Sequence, residues 1–142
     1  MNLTARTEYA CLAMLELAAS HEGTEPVTIK KIADTHGIPA RFLVQILLQL
    51  KQAGLVRSTR GSSGGYRLAL PPDQITLADI LDALDHLPRE FRSAVPHATA
   101  AQRVLSATWN RLLGSERELL DEVNLSQLDR QARDQTAGMY YI

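Results

Sequence analysis

Residues 55–70 read Leu55-Val56-Arg57-Ser58-Thr59-Arg60-Gly61-Ser62-Ser63-Gly64-Gly65-Tyr66-Arg67-Leu68-Ala69-Leu70. The segments before and after the glycines alternate apolar and polar residues. A period of two puts one face of a strand against a core, and a short glycine-rich link between two such runs marks a β-hairpin. No Lys-Ser/Thr follows these glycines, and the next segment reads as a strand rather than a helix. The loop is therefore not a nucleotide-phosphate cradle.

The sequence before the hairpin is helical. Thr28 is a capping residue for a short helix bearing Ile29, Ile32 and Ala33. Lys31 occupies its third position, so no reciprocal capping box is expected. Gly37 ends this helix as a left-handed cap would, Ile38 plugs the turn, and Pro39 sits where a first-turn proline is tolerated. Another helix follows, with Phe42, Leu43, Ile46, Leu47 and Leu50 on one stripe and Gly54 at its end. Phe42, Leu43, Ile46 and Leu47 are expected to point inward. Two short helices, a tight turn and a hairpin in this order predict a winged helix-turn-helix.

Further out, Thr4 caps a first helix reaching about Ser20 whose apolar residues cover most of its circumference. Such a helix is buried, by its own core or by a partner subunit. Pro71-Pro72 breaks the chain, and Thr76 caps a fourth helix with Asp79 at its third position and Leu77, Ile80, Leu81 and Leu84 as its apolar side. Residues 85–97 show no period and read as a loop. A long helix is expected from about Ala98 to Val123, its stripe formed by Ala101, Leu105, Thr108, Leu112, Leu119 and Val123, with Trp109 alongside and a weak point at Gly114-Ser115-Glu116. Ser126 is read as the cap of a last short helix through Gln135, and the tail with Tyr140 and Tyr141 has no assignment. The expected fold is mainly α with a small β-hairpin wing. Residues 1–85 form the winged helix-turn-helix, and 86–142 the loop, a long dimerisation helix and the C-terminal helix.

The bulk composition narrows the function. The chain has 142 residues, enough to bury a core without disulfides or a structural metal. Its single cysteine, Cys11, excludes an internal disulfide framework and fits a reducing cytoplasm. Its apolar runs are too short for a membrane span, and no apolar region follows a basic start, so neither membrane nor secretory targeting is expected. The net charge of −1 hides a division. Residues 27–70 carry seven basic groups against one acid, and the remainder eight against fifteen. A segment of +6 beside a remainder of −7 fits a polyanion on one face.

Double-stranded DNA is the polyanion these elements would meet. The second helix of a helix-turn-helix lies in the major groove with its N-terminal residues at base edges. Here those are Pro39, Ala40, Arg41, Val44 and Gln45, of which Arg41 suits guanine or phosphate and Gln45 adenine. Arg60, beside the glycine loop, suits a narrow minor groove. Arg57, Thr28, Ser62 and Ser63 suit phosphates. A solvated surface would carry several of the same residues, so a winged helix that contacts a partner protein without DNA stays open. The chain has no Gly-x-Ser-x-Gly, no His-Glu-x-x-His and no paired carboxylates of defined spacing, so an enzyme is not expected.

Three stretches resemble the Rrf-two family of bacterial regulators: Leu3-Thr4 with Tyr9-Ala10 and Met14-Leu15; Ile38 to Val56; and Arg60-Gly61-Ser62-Ser63-Gly64-Gly65-Tyr66, the family's Arg-Gly-x-x-Gly-Gly-Tyr wing. Thr76 to Leu84 resembles its post-wing helix, while Pro39 stands where the family often has serine. The resemblance implies a homodimer, here pairing through Leu105, Thr108, Trp109, Leu112, Leu119 and Val123, that acts as a repressor on an inverted-repeat operator. Many relatives hold an iron–sulfur cluster through three cysteines, and residues 71–142 contain none, so no cofactor is expected. Glu8 stands where some relatives supply a carboxylate ligand and reads here as a surface or dimer-contact acid. Cys11 reads as an inert core residue. His86 and His97, with Glu90 or Glu8, lack ligand spacing, so no metal is expected. The expected signal is a small molecule or a partner protein.

Overall fold

A computed structural model describes residues 1–139, which form six α-helices and one hairpin; Tyr140 and Tyr141 lie outside the described residues. The first helix, α1 (Ala5–Ala19), starts at Thr4, whose hydroxyl accepts from the Thr7 amide. It runs through the centre of the molecule. Ala10, Ala13 and Met14 have no exposed surface, and α1 touches α2 (Ile29–His36), α3 (Ala40–Gln52), α4 (Leu77–Ala83), α6 (Leu125–Met139) and the hairpin. Its apolar circumference is thus used up largely within its own chain.

The helix ends follow the sequence closely. Thr28 accepts from the Lys31 amide with no reciprocal bond, and Gly37 closes α2 at φ 67°. Thr76 and Asp79 make the full capping box of α4. Two starts and one end differ, the last helix running past Gln135 to Met139. Pro39 is the cap residue of α3, with extended ψ of 126°, and not part of its first turn. Its φ of −61° suits either position, and the ψ of 126° is what leaves Pro39 outside the helix. The last helix starts at Leu125, before Ser126, because Asn124 and Gln127 exchange amide hydrogen bonds of 2.9 Å each. That reciprocal pair outcompetes a serine two residues later.

The hairpin pairs β1 (Val56–Thr59) with β2 (Gly65–Leu68), in the register Val56↔Leu68, Arg57↔Arg67, Ser58↔Tyr66 and Thr59↔Gly65. Val56 faces the core and Arg57 faces solvent. A third chain segment joins it. Val27 and Tyr66 exchange backbone hydrogen bonds of 2.9 and 2.8 Å. Gly65 makes this possible. Its φ is 150°, and a Cβ there would stand 2.5 Å from the Val27 carbonyl oxygen. A Cβ on Gly64 would stand 2.3 Å from the Thr59 carbonyl oxygen. The two adjacent glycines are therefore required by close backbone approach.

Beyond the hairpin, a 3-10 turn (Pro72–Gln74) leads to α4, a loop follows, and α5 (Ala100–Asp121) runs unbroken through Gly114. Phe91 in the loop donates its amide to Asn110 on α5 and packs on Trp109. The chain then turns back. Leu125 lies in the same core as α1 and α3, and α6 packs along α1.

Arg117 of α5 donates two hydrogen bonds of 2.9 Å to Asp82 of α4. These bonds, with the charges of Arg117 and Arg89, hold the Asp82 carboxyl below the usual aspartate range against the opposing effect of burial. A carboxyl lowered by folding stabilises the fold above its unfolded pKa and loses that contribution as pH falls through the lowered value. Asp82→Asn is therefore expected to lower the thermal midpoint by about 3 °C at neutral pH, for a pair contributing about 1 kcal/mol. The difference from wild type should close in acid, below the aspartate range. Melting curves of both proteins across pH check this, and a difference unchanged at low pH would mean the pair contributes nothing.

Candidate nucleic-acid interface

The outer face of α3 is set by its inner one. Leu43, Ile46, Leu47 and Leu50 are fully buried, which turns Arg41, Val44, Gln45 and Leu48 outward at spacings of three and four. Ala40 and Pro39, at the helix start, are exposed as well. Phe42 departs from the expected inward orientation and is 38 % exposed. It lies at the edge of the buried stripe, where a helical step of 100° carries it partly into solvent. Its ring packs on Tyr9 of α1 at 5.8 Å between centroids, and the Arg41 guanidinium lies 4.9 Å from its centroid. Phe42 thus braces Arg41 by a cation–π contact at the helix start.

The wing presents Arg57 on β1 and Arg60, Ser62 and Ser63 on the connecting loop, all exposed. Lys51 at the end of α3 donates to the Ser58 hydroxyl at 2.7 Å, which ties the hairpin to that helix. Arg57 sits directly across from Arg67, an unfavourable like-charge pairing. Arg67 is turned toward the loop after α1, where it donates to the Gly23 carbonyl at 2.9 Å. Arg57 has no such partner among the described residues, nor do Arg41 and Arg60.

Thr28 is exposed, but its hydroxyl already caps α2. Lys30 pairs with Asp34 at 2.5 Å, and that carboxylate raises the Lys30 pKa, first by hydrogen bond and then by charge. The outer surface of α2 therefore offers Lys31 as its free cation among the described residues. Sequence reading missed Leu48, which is 44 % exposed on the outer face of α3. The signal was there: it stands four residues after Val44 and three after Gln45.

The candidate pairing face is α5, none of whose residues is buried. Leu105, Trp109, Leu112 and Leu119 are exposed, with Val104 beside them. Thr108 is half-buried and donates to the Val104 carbonyl at 3.0 Å. Val123 does not join this face. It lies in the turn after α5, and its carbonyl accepts from the Leu77 amide at 2.9 Å.

Helices positioned around a groove-sized helix, a thin arginine-bearing hairpin and a free apolar arm define a winged helix-turn-helix transcription regulator. The comparisons with known proteins agree. Residues 3–131 match the Rrf2 family, described as "Iron-dependent Transcriptional regulator", and the chain belongs to that family. The HTH-type transcriptional regulator CymR of Bacillus subtilis is 35 % identical over the full length of both chains. The solved structure of B. subtilis CymR superposes with a TM-score of 0.76, at 34 % identity, covering 92 % of this chain and 98 % of that one. T. potens IscR superposes with a TM-score of 0.74, at 30 % identity, covering 93 % and 88 %. These relatives are regulators, and the chain is not an enzyme.

The family description invokes iron, and the donors here do not fit an iron–sulfur cluster. Clusters need thiolates. Burial pushes the Cys11 thiol up to about 11, so it is protonated at neutral pH. Among the described residues, no group of three or more His, Cys, Asp or Glu side chains converges as metal ligands would. His86, in the segment read from sequence as a loop, is half-buried with its Nδ1 2.7 Å from the Thr7 hydroxyl. Thr7 in turn donates to the Asn2 carbonyl, so His86 locks the N-terminal segment to the end of α4. Glu8, Glu90 and His97 are exposed.

Iodoacetamide should label Cys11 slowly at neutral pH in the folded protein and completely after denaturation. Mass spectrometry reads the outcome, and rapid labelling of the native chain would contradict an inert core thiol.

Proposed function

We propose that the chain is a homodimeric, cytoplasmic repressor that binds an inverted-repeat operator and uses no iron–sulfur cluster. The observation that carries this reading is the set of uncompensated guanidiniums of Arg41, Arg57 and Arg60 on a braced helix and a slim hairpin. Arg41, Val44 and Gln45, with Pro39 and Ala40 at the helix start, face the major groove. Arg60 enters the adjacent minor groove. Thr28, Arg57, Ser62 and Ser63 contact phosphates. In this reading residues 1–85 bind DNA and 86–142 pair the subunits.

Support for pairing comes from α5, where Val104 and Leu119 are 68 % and 65 % exposed. A helix of 22 residues with no buried side chain needs a partner surface. Two-fold pairing would set the two recognition helices about 34 Å apart, one turn of duplex. B. subtilis CymR is described as a global cysteine regulator. The signal for this chain is proposed to be a small molecule or a partner protein. The alternative, a winged helix that binds a protein without DNA, draws on the exposed Val44 and Leu48.

Selection from a random DNA pool should return a palindrome with half-sites one turn apart. Failure to enrich any sequence would favour the protein-binding alternative. Arg60→Ala should reduce operator affinity about tenfold and leave the melting curve unchanged. Affinity and salt dependence equal to wild type would take the wing out of the groove. Sedimentation should give twice the chain mass, and a monomer at micromolar concentration would remove the dimer.

A further inference from the structure

The outer face of α3 is unusual for a surface that meets a polyanion. Along its outward row Arg41 is the charged side chain of the first turn, and the next, Lys51, stands at the far end of the helix, where it is bonded to Ser58. Val44 and Leu48 are aliphatic and 49 % and 44 % exposed, and Gln45 lies between them. Around them the segment from 27 to 70 is basic, seven groups against one acid. A second protein surface would have to bury those cations to reach the aliphatic pair. A DNA groove accepts both. Its backbone takes the cations, and the major groove has one apolar feature at base edges, the C5-methyl group of thymine.

We infer that Val44 and Leu48 are specificity determinants that pack against thymine methyl groups, so that each half-site carries A·T pairs beneath the middle of α3. This rests on the DNA-binding reading given above. Gln45 points to the same base pairs by independent chemistry, because its amide matches the N6 and N7 edge of adenine. Two neighbouring residues then read one kind of pair from its two sides. The spacing also fits. Four residues of helix advance about 6 Å. Successive base pairs are about 3.4 Å apart. Val44 and Leu48 thus address thymines about two steps apart, and Arg41, a turn earlier, sits toward the outer end of the half-site at a guanine or phosphate.

Deoxyuridine tests this, because it lacks the methyl group and keeps every hydrogen-bonding atom of thymine. The duplex selected from the random pool is prepared with each thymine replaced in turn, and binding is followed by fluorescence anisotropy. Replacement at two thymines per half-site should weaken binding about threefold to fivefold each, the factor for one buried methyl-sized group. Val44→Ala should erase the response at one of these positions and Leu48→Ala at the other. Both residues are exposed, so the variants should melt like wild type. If every deoxyuridine duplex binds within twofold of the parent, the inference is overturned while DNA binding stands. A response that persists in both variants assigns the methyl effect to DNA shape and overturns the residue assignment. If both variants bind DNA normally but change the sedimenting mass, the face belongs to a protein contact and the inference fails. If no duplex is selected at all, the underlying DNA-binding reading fails first.

Discussion

Two backbone hydrogen bonds between Val27 and Tyr66 fix the hairpin to the entrance of α2, and the geometry of the whole presenting surface depends on them. Val27 is buried, and the next residue, Thr28, caps α2. One dipeptide therefore sets the position of both the wing and the first helix of the helix-turn-helix pair. The second helix is tied into the same frame from its far end. The Leu55 amide reaches back to Leu50, Ala69 donates to the Leu55 carbonyl, and Lys51 holds Ser58. Gly65 is the steric condition for this arrangement, since any side chain there collides with backbone rather than with a movable side chain.

Much of this was legible because short-range rules acted alone. Thr4, Thr28 and Thr76 cap helices through bonds to amides three residues on, and the distant contact of Thr76, with Asp121, uses the hydroxyl proton and leaves the accepting oxygen to the cap. The hairpin followed from alternation and glycine. The starts of α3 and α6 were misread on local grounds, and the other misread positions are those where tertiary structure decided. Phe42 belongs to the apolar stripe by spacing, yet Tyr9 and Arg41 offer it a rim position. Val123 continues the period of the long helix, yet the chain has already turned to bond α4. The return of α6 rests on Leu125, whose side chain enters the core and whose amide donates to the Ile75 carbonyl at 2.9 Å, and one residue makes no period. Leu48 was legible and passed over, because an exposed leucine on a helix is ordinary in itself.

Charge shows the same division between sequence and structure. The count of +6 over residues 27–70 weights all seven cations equally. Folding does not. Lys30 is bound to Asp34, Arg67 to a carbonyl, and Lys51 to a serine. What remains free is concentrated at Arg41, Arg57 and Arg60, with Lys31 at the start of α2. A like-charge pair across the hairpin is tolerable here because one member is turned aside by its hydrogen bond.

The contrast between α1 and α5 has a consequence for how the molecule opens. Amide protons on α1 lie behind contacts with four other helices and the hairpin, so their exchange with solvent reports disruption of the entire core. Among the helices, α5 leans on α4, held there by the Asp82–Arg117 bonds and by Leu120 against Ala78, Leu81 and Leu87. Its amides are open to exchange through local detachment that leaves the helix-turn-helix folded. The contacts thus divide the chain into two units expected to differ in protection, the second set by whatever occupies the outer side of α5.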